Sequence, residues 1–328
     1  VSRESDALAE VLAAPDDDVP RMGYADLLVA RGDPRGEFIR IQCAISNGDV
    51  EYLEKKELRE RAAKLLSEHG KGWLEAAGLT DKIEVEWRRG FVDVVSLTGE
   101  QFAGELGEAL FAREPVRHAC IRVNSERVAK RIGAAPHLSR LTALTLEGLS
   151  GGSVLEPILA ADLSALRAAN FGTMVDPESL PTVTGARSLA NVERLSISGS
   201  DIGGEFAGAF RDWRLVSLQT LFASRCGLLD SDLAAIAKSD ALSQLVTLCV
   251  ARNEYGATGL RALVDSPNSA TLESLEIDLC NAEAMTLLAE CKGLARLRRV
   301  MIAGYEYRLP ADLRKRLKKR FGRGLRWD

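Results

Sequence analysis

Histidine is scarce in this chain of 328 residues: only His69, His118 and His137 are present. None stands at ligand spacing from a cysteine, so the sequence offers no metal centre. The six cysteines (Cys43, Cys120, Cys226, Cys249, Cys280 and Cys291) are scattered and form no C-x-x-C pair. That argues against a disulfide framework and for reduced thiols in a cytoplasmic setting. No apolar run approaches the roughly 18 residues of a membrane helix, and the opening "VSRESDALAEVLAAPDDD" lacks an apolar signal-peptide core. Positive charge is not in excess: the formal net charge is −4, so no overall field draws the chain to nucleic acid. Catalytic motifs are missing too. "LSGGS" (Leu149–Ser153) is not a nucleophile elbow, and Cys249 has no obvious base beside it in the sequence pattern. The expectation is a protein that is not an enzyme and uses no metal and no cofactor.

What is present is a repeat. "LVTLCVARNEY" (Leu245–Tyr255) fits L-x-x-L-x-L-x-x-N. "LQTLFASRCGL" (Leu218–Leu228) and "LESLEIDLCNA" (Leu272–Ala282) keep that frame with cysteine at the ninth position, and "VERLSISGSDI" (Val192–Ile202) keeps it with serine. Looser copies begin at Val116, Leu141, Leu163 and Leu297. Their second anchors, Ala119, Leu144, Leu166, Leu195, Leu221, Leu248, Leu275 and Val300, lie 25, 22, 29, 26, 27, 27 and 25 residues apart. This spacing predicts an α/β leucine-rich repeat solenoid of alternating strands and helices. One repeat cannot bury its own apolar side, so the copies must stack. The Asn, Cys or Ser should satisfy the turn that leaves each strand.

The ends differ from the repeats. "PADLRKRLKKRFGRGLRW" reads as a basic cap helix with Leu313, Leu317 and Phe321 on one stripe, followed by a short strand. At the other end, "RGDPRGEF" (Arg31–Phe38) follows no predicted strand and has no G-K-[ST], so it is not a phosphate loop. Gly32 can close one helix, and Asp33 and Pro34 can open the next. The charged helix after it should close at Gly70. "KIEVEWRRGFVDVVSL" alternates on both sides of Arg88-Arg89-Gly90, which predicts a hairpin. The expected organisation is a helical domain over 1–80, a bridging hairpin and first cap over 81–115, repeats over 116–308 and a basic cap over 309–328.

The N-terminal residues carry a more specific signal. Pro15, Asp16, Asp17, Arg21, Tyr24, Ala25, Asp26, Leu28, Gly32 to Glu37, Phe38 and Ile39 resemble the repeat-companion domain of bacterial leucine-rich repeat proteins. "HGKGWL", "WRRGFVDVV" and "LKKRFG" are similar to that family's bridge and closing segments. The resemblance implies a bacterial cytosolic protein with an interaction role, and it brings no catalytic residues. Gly23 stands where that family often has a larger apolar residue, which predicts looser packing there.

The favoured function is protein binding by the concave strand face, in the manner of a scaffold. Arg and aromatic residues are the usual anchors of such faces. The frame turns Arg194, Phe222, Arg225, Cys249, Arg252, Glu276, Asp278, Met301 and Tyr305 outward. Asp26, Arg35, Glu37 and Arg40 surround the "RGDPRGEF" turn and read as an ion-pair network, with a docking surface as the other reading. Two other functions stay open. The protein could be the regulated substrate of a bacterial signalling or defence protease, or the eight Lys and Arg among its last 18 residues could meet nucleic acid.

Overall fold

The computed structural model describes residues 3–48, 50–79, 82–209, 213–239, 243–279, 281–304 and 308–328. The chain forms two compact units. The first holds residues 1–122 and 135–141, and the second holds 123–134 and 142–328.

The first unit begins with four helices: α1 (Arg3–Ala13), α2 (Asp18–Ala30), α3 (Pro34–Asn47) and α4 (Tyr52–Ala76). Asp17 caps α2 by accepting the Val19 N–H at 2.9 Å, and Asp33 caps α3 by accepting the Arg35 N–H at 2.9 Å. Pro34 takes the first turn, where its missing N–H costs nothing. Gly32 has φ 79° and ends α2 in the left-handed region. Gly36 is needed for a different reason: a Cβ there would meet Ala25 O at 2.6 Å and Val29 N at 2.9 Å. The "RGDPRGEF" segment is therefore an interhelical turn that lets two helices approach closely.

The strands β1 (Val85–Arg88) and β2 (Phe91–Thr98) form an antiparallel hairpin. Its two-residue turn, Arg89-Gly90, has φ of 52° and 83°, as the right-handed twist of hairpins prefers. Two short helices, α5 (Gly99–Phe102) and α6 (Glu105–Phe111), precede β3 (His118–Val123), which pairs parallel with β2.

Two expectations fail in this unit. The fourth helix does not stop at Gly70 but continues to Ala76. Trp73 on the extension docks against Phe38 and Trp87, with ring centroids 5.1 and 5.8 Å away. That burial outweighs the roughly 1 kcal/mol helix penalty of glycine. Gly23 loosens nothing, because it is exposed and a Cβ there would have open space around it.

The second unit repeats strand and helix. After α7 (Glu126–Ala134), its strands are β4 (Ala143–Gly148), β5 (Ala168–Asn170), β6 (Arg194–Ser196), β7 (Thr220–Phe222), β8 (Thr247–Cys249), β9 (Ser274–Asp278), β10 (Arg299–Ala303) and β11 (Leu325–Trp327). Each pairs parallel with the next in chain order. The helices between them are α8 (Gly152–Leu159), α9 (Leu180–Thr184), α10 (Phe206–Ala209), α11 (Asp230–Lys238), α12 (Ala257–Asp265) and α13 (Ala282–Glu290), with α14 (Ala311–Phe321) before the last strand. Leu144, Leu195, Leu221, Leu248, Leu275 and Val300 are all at most 1% exposed.

One anchor is corrected. Ala169, not Leu166, pairs with Leu144 and Leu195. The small alanine hid the frame, and Leu166 and Phe171 take the flanking inward positions at 0% exposure. With Ala169 in place, the irregular spacings of 22 and 29 become 25 and 26.

The ninth-position residues bind the turns. Asn253 Oδ1 accepts from the N–H of Cys226 at 2.7 Å and Leu228 at 3.2 Å, while its Nδ2 donates to Val250 O and Ala223 O. Cys226 Sγ donates to Ile197 O at 3.2 Å and Ser200 Oγ to Gly172 O at 2.6 Å. Fully buried Asp232 accepts the N–H groups of Gly204, Phe206 and Leu229. Asp230 accepts those of Gly256 and Gly259, at the start of α12. Acidic residues on α11 thus hold the repeats on both sides.

Candidate protein-binding face

Alternation along each strand puts every second side chain on the face away from the helices. The register fixes a row across that face in the second unit: Asn170, Ser196, Phe222, Cys249, Glu276, Met301 and Arg326. Phe222 is 38% exposed and Met301 37%. Cys249 lies between larger neighbours and is buried, so it contributes little contact surface. Burial pushes its thiol up to about 12, and the Glu276 carboxylate beside it, which accepts a hydrogen bond from the thiol, acts in the same direction.

Arg194 is exposed on the neighbouring row. Asp278 is occupied by the backbone, accepting the N–H of Arg252 at 2.6 Å and Asn253 at 2.9 Å. Tyr305 lies outside the described residues.

Arg225 and Arg252 sit in the turns after β7 and β8, not on the strands. Their φ angles are 57° and 62°. The same turn position one repeat earlier is Gly199, with φ 86°. The turn demands a left-handed residue, and two arginines occupy it where glycine would cost less. Their charges have different fates. The Arg252 guanidinium pairs with the Asp328 carboxylate. The exposed Arg225 guanidinium has no partner among the described residues.

In the first unit the four charges around the "RGDPRGEF" turn separate rather than forming one network. Arg40 pairs with Asp26, and Arg61 of α4 pairs with Glu37 at 2.6 Å, which holds the Glu37 carboxyl below its usual range. Arg35 reaches Glu114, whose side chain is 0% exposed, with bonds of 2.7 and 2.8 Å. Glu114 also accepts the Val92 N–H at 2.9 Å. Buried Arg21 donates to Pro15 O at 2.7 Å and to Arg89 O at 3.3 Å. These bonds tie the helices to the hairpin.

One juxtaposition was missed in the sequence. His118 Nε2 and Cys120 Sγ lie 3.6 Å apart on β3. The signal was their separation of two, which places both side chains on one face of a strand. Burial lowers the His118 pKa, and Glu86 and Asp93 oppose that. Among the described residues no group of three potential ligands could hold a metal, and no helix is long and apolar enough to cross a membrane.

No family model matches the chain, and no curated protein matches it. Similar solved structures do exist. The chain is similar to the structure of the yeast Rad7–Elc1 complex at 14% identity over 72% of this chain and 73% of that one, with a TM-score of 0.44. It is similar to leiomodin-1 actin-binding site 2 at 15% identity over 45% and 88%, with a TM-score of 0.34. It is also similar to an internalin (inlF) from Listeria monocytogenes at 15% identity over 59% and 63%, with a TM-score of 0.32.

Proposed function

We propose that this chain is a non-catalytic protein-interaction module whose second unit is a leucine-rich repeat solenoid, binding a protein partner on its outward strand face. The observation that carries the reading is Arg225. It occupies a left-handed turn where the repeat before it has glycine, and its guanidinium has no partner among the described residues. Backbone strain retained at one position is a pointer to function. Phe222 and Met301 supply exposed apolar surface on the same strand face, and aromatic and arginine side chains dominate binding energy at interfaces. The free charge of Arg225 fits an acidic segment on the partner. The cytoplasmic setting belongs to the same reading, supported by free cysteines at Cys43, Cys120, Cys226, Cys249 and Cys291.

The test is affinity capture from native cells with the wild-type chain and with a Phe222→Ala, Arg225→Ala, Met301→Ala variant. Partner recovery should fall at least about tenfold, the scale of one or two interface anchors, while circular dichroism stays unchanged. Undiminished recovery with the folded variant would move the binding site off this face.

A further inference from the structure

The fourth helix presents two stripes to its surroundings. Leu58, Ala62 and Leu65 pack into the core with Phe38, Ile41 and Trp73. The adjoining stripe, Tyr52, Arg59, Ala63 and Leu66, follows spacings of seven, four and three, which keeps it on one side of the helix. Ala62 and Ala63 are too small to fill the space facing them, and a cavity of about 330 Å³ opens between α3, α4 and the hairpin. Phe38, Ile45, Leu66 and Trp87 line its apolar part. That volume is at the low end of ligand pockets, which run from about 300 to 1,000 Å³, and it accommodates a single bulky side chain.

The polar lining has one sign. Arg59, Arg88 and Arg89 line the cavity and no acidic residue does. Arg89 is committed, donating to Asp16 O at 2.7 Å. Arg88 is 54% exposed and makes a long ion pair with Asp93 at 3.9 Å. Arg59 is exposed and has no partner among the described residues. Two cations on different elements, α4 and β1, thus face the groove: Arg59 lacks a partner among the described residues, and Arg88 is held only by a long, half-exposed ion pair that an incoming anion can replace. Beyond the cavity, Tyr52 stands two turns before Arg59 on the same stripe and is 82% exposed, with the exposed Lys56 between them, so an aromatic ring and a further cation extend the docking face along α4. Gln42 lines the cavity too. Its side-chain carbonyl is taken by the Gly90 N–H at 2.7 Å, which leaves its amide N–H groups for a main-chain carbonyl.

We propose that this groove is a second binding site, in the N-terminal helical unit, for an acidic peptide segment. One aromatic or large aliphatic side chain of the segment fills the cavity, and flanking carboxylates meet Arg59 and Arg88. The continuation along α4 to Tyr52 selects an extended segment over a compact small anion. The site is independent of the strand face of the second unit.

Fluorescence anisotropy of a labelled Asp-Glu-Phe-Glu-Asp peptide with the full chain tests this, with the part of the tryptophan emission change that a Trp87→Phe variant loses as a readout inside the cavity. The peptide should bind saturably, and more weakly as salt rises. Replacing its Phe by Ala, or its acids by Lys, should weaken binding by about tenfold or more, as should Arg59→Glu with Arg88→Glu. Both arginines are exposed, so that variant keeps its fold. Ala63→Trp, which fills the cavity from an exposed position, should also abolish binding. Phenylacetate is the small-anion arm and should compete only far more weakly. Absence of saturable binding, equal binding of the lysine peptide, or binding untouched by Arg59→Glu with Arg88→Glu would overturn the proposal. Phenylacetate competing as well as the peptide would overturn the extended-segment assignment.

Discussion

Replacing Arg225 separates stability from binding. An L-residue in the left-handed region costs about 1–2 kcal/mol, a cost that glycine escapes. Arg225 sits at φ 57° and has no charge partner among the described residues to offset it. Arg225→Ala removes the guanidinium but keeps the Cβ and its clash. Arg225→Gly removes both, at an extra unfolded-state entropy cost of about 0.5–1 kcal/mol. Glycine should therefore be more stable than alanine here by about 1 kcal/mol, the reverse of their order in helices. The Arg225 N–H, which donates to Ala251 O at 3.1 Å, survives in both variants. Urea unfolding followed by circular dichroism measures the difference through the shift in midpoint at constant slope. Both variants should lose partner capture equally, since both lose the charge. Alanine matching or exceeding glycine in stability would show that the turn carries no strain. Capture retained by both would show that the arginine is not there for a partner.

Glu114→Ala should destabilise the first unit by about 3–5 kcal/mol, because it strands the Arg35 guanidinium and the buried Val92 N–H; thermal unfolding beside Arg35→Ala and the double variant should show strong coupling. Asp232→Ala should cost several kcal/mol, since three N–H groups lose their acceptor, measured by urea unfolding. Leu248→Asp or Leu275→Asp, each at most 1% exposed, should prevent stable folding; an unchanged melting temperature would contradict the repeat register. Burial raises the thiols of Cys43 and Cys249 to about 12 and that of Cys226 to about 11, above the ordinary 9.0. The folded state then holds protons that the unfolded state releases, so stability should be intact below about pH 9 and fall as pH rises toward 12. Thiol labelling at pH 8 should reach these three only on unfolding.

The repeat was legible because its anchors are large and regular. Leu144, Leu195, Leu221, Leu248 and Leu275 announce themselves by residue type, and each lies in the core. The frame slipped where the anchor is small, at Ala169, since alanine is apolar without being diagnostic. The helix caps at Asp17 and Asp33 were readable because capping is local chemistry. The extension of α4 past Gly70 was not, because Trp73 is held by Phe38 and Trp87 from distant parts of the chain. The cavity beside Arg59 was invisible for the same reason: it exists only where three elements meet.

The outward face shows the sharper limit. A strand frame tells which residues point away from the helices, and it does so for Phe222, Cys249, Glu276 and Met301. It does not tell which of them are free to bind. Cys249 is shielded, Glu276 accepts its thiol, and Asp278 is consumed by two backbone N–H groups. Arg252 looked equivalent to Arg225 in the repeat, yet Asp328 neutralises it from β11's end, 76 residues away. No such carboxylate reaches Arg225 among the described residues. Two arginines at one repeat position thus do different work. The pair at Arg252 fastens the C-terminal strand to the turn after β8, whereas the charge at Arg225 faces no carboxylate among the described residues. Asp328→Asn should accordingly weaken the attachment of that strand while making the second arginine available. Hydrogen exchange of the Asp328 N–H, which donates to Ile302 O at 3.1 Å, should quicken in this variant, and capture of an acidic partner should hold or rise. Loss of capture would mean that the Arg252–Asp328 pair itself forms part of the binding surface.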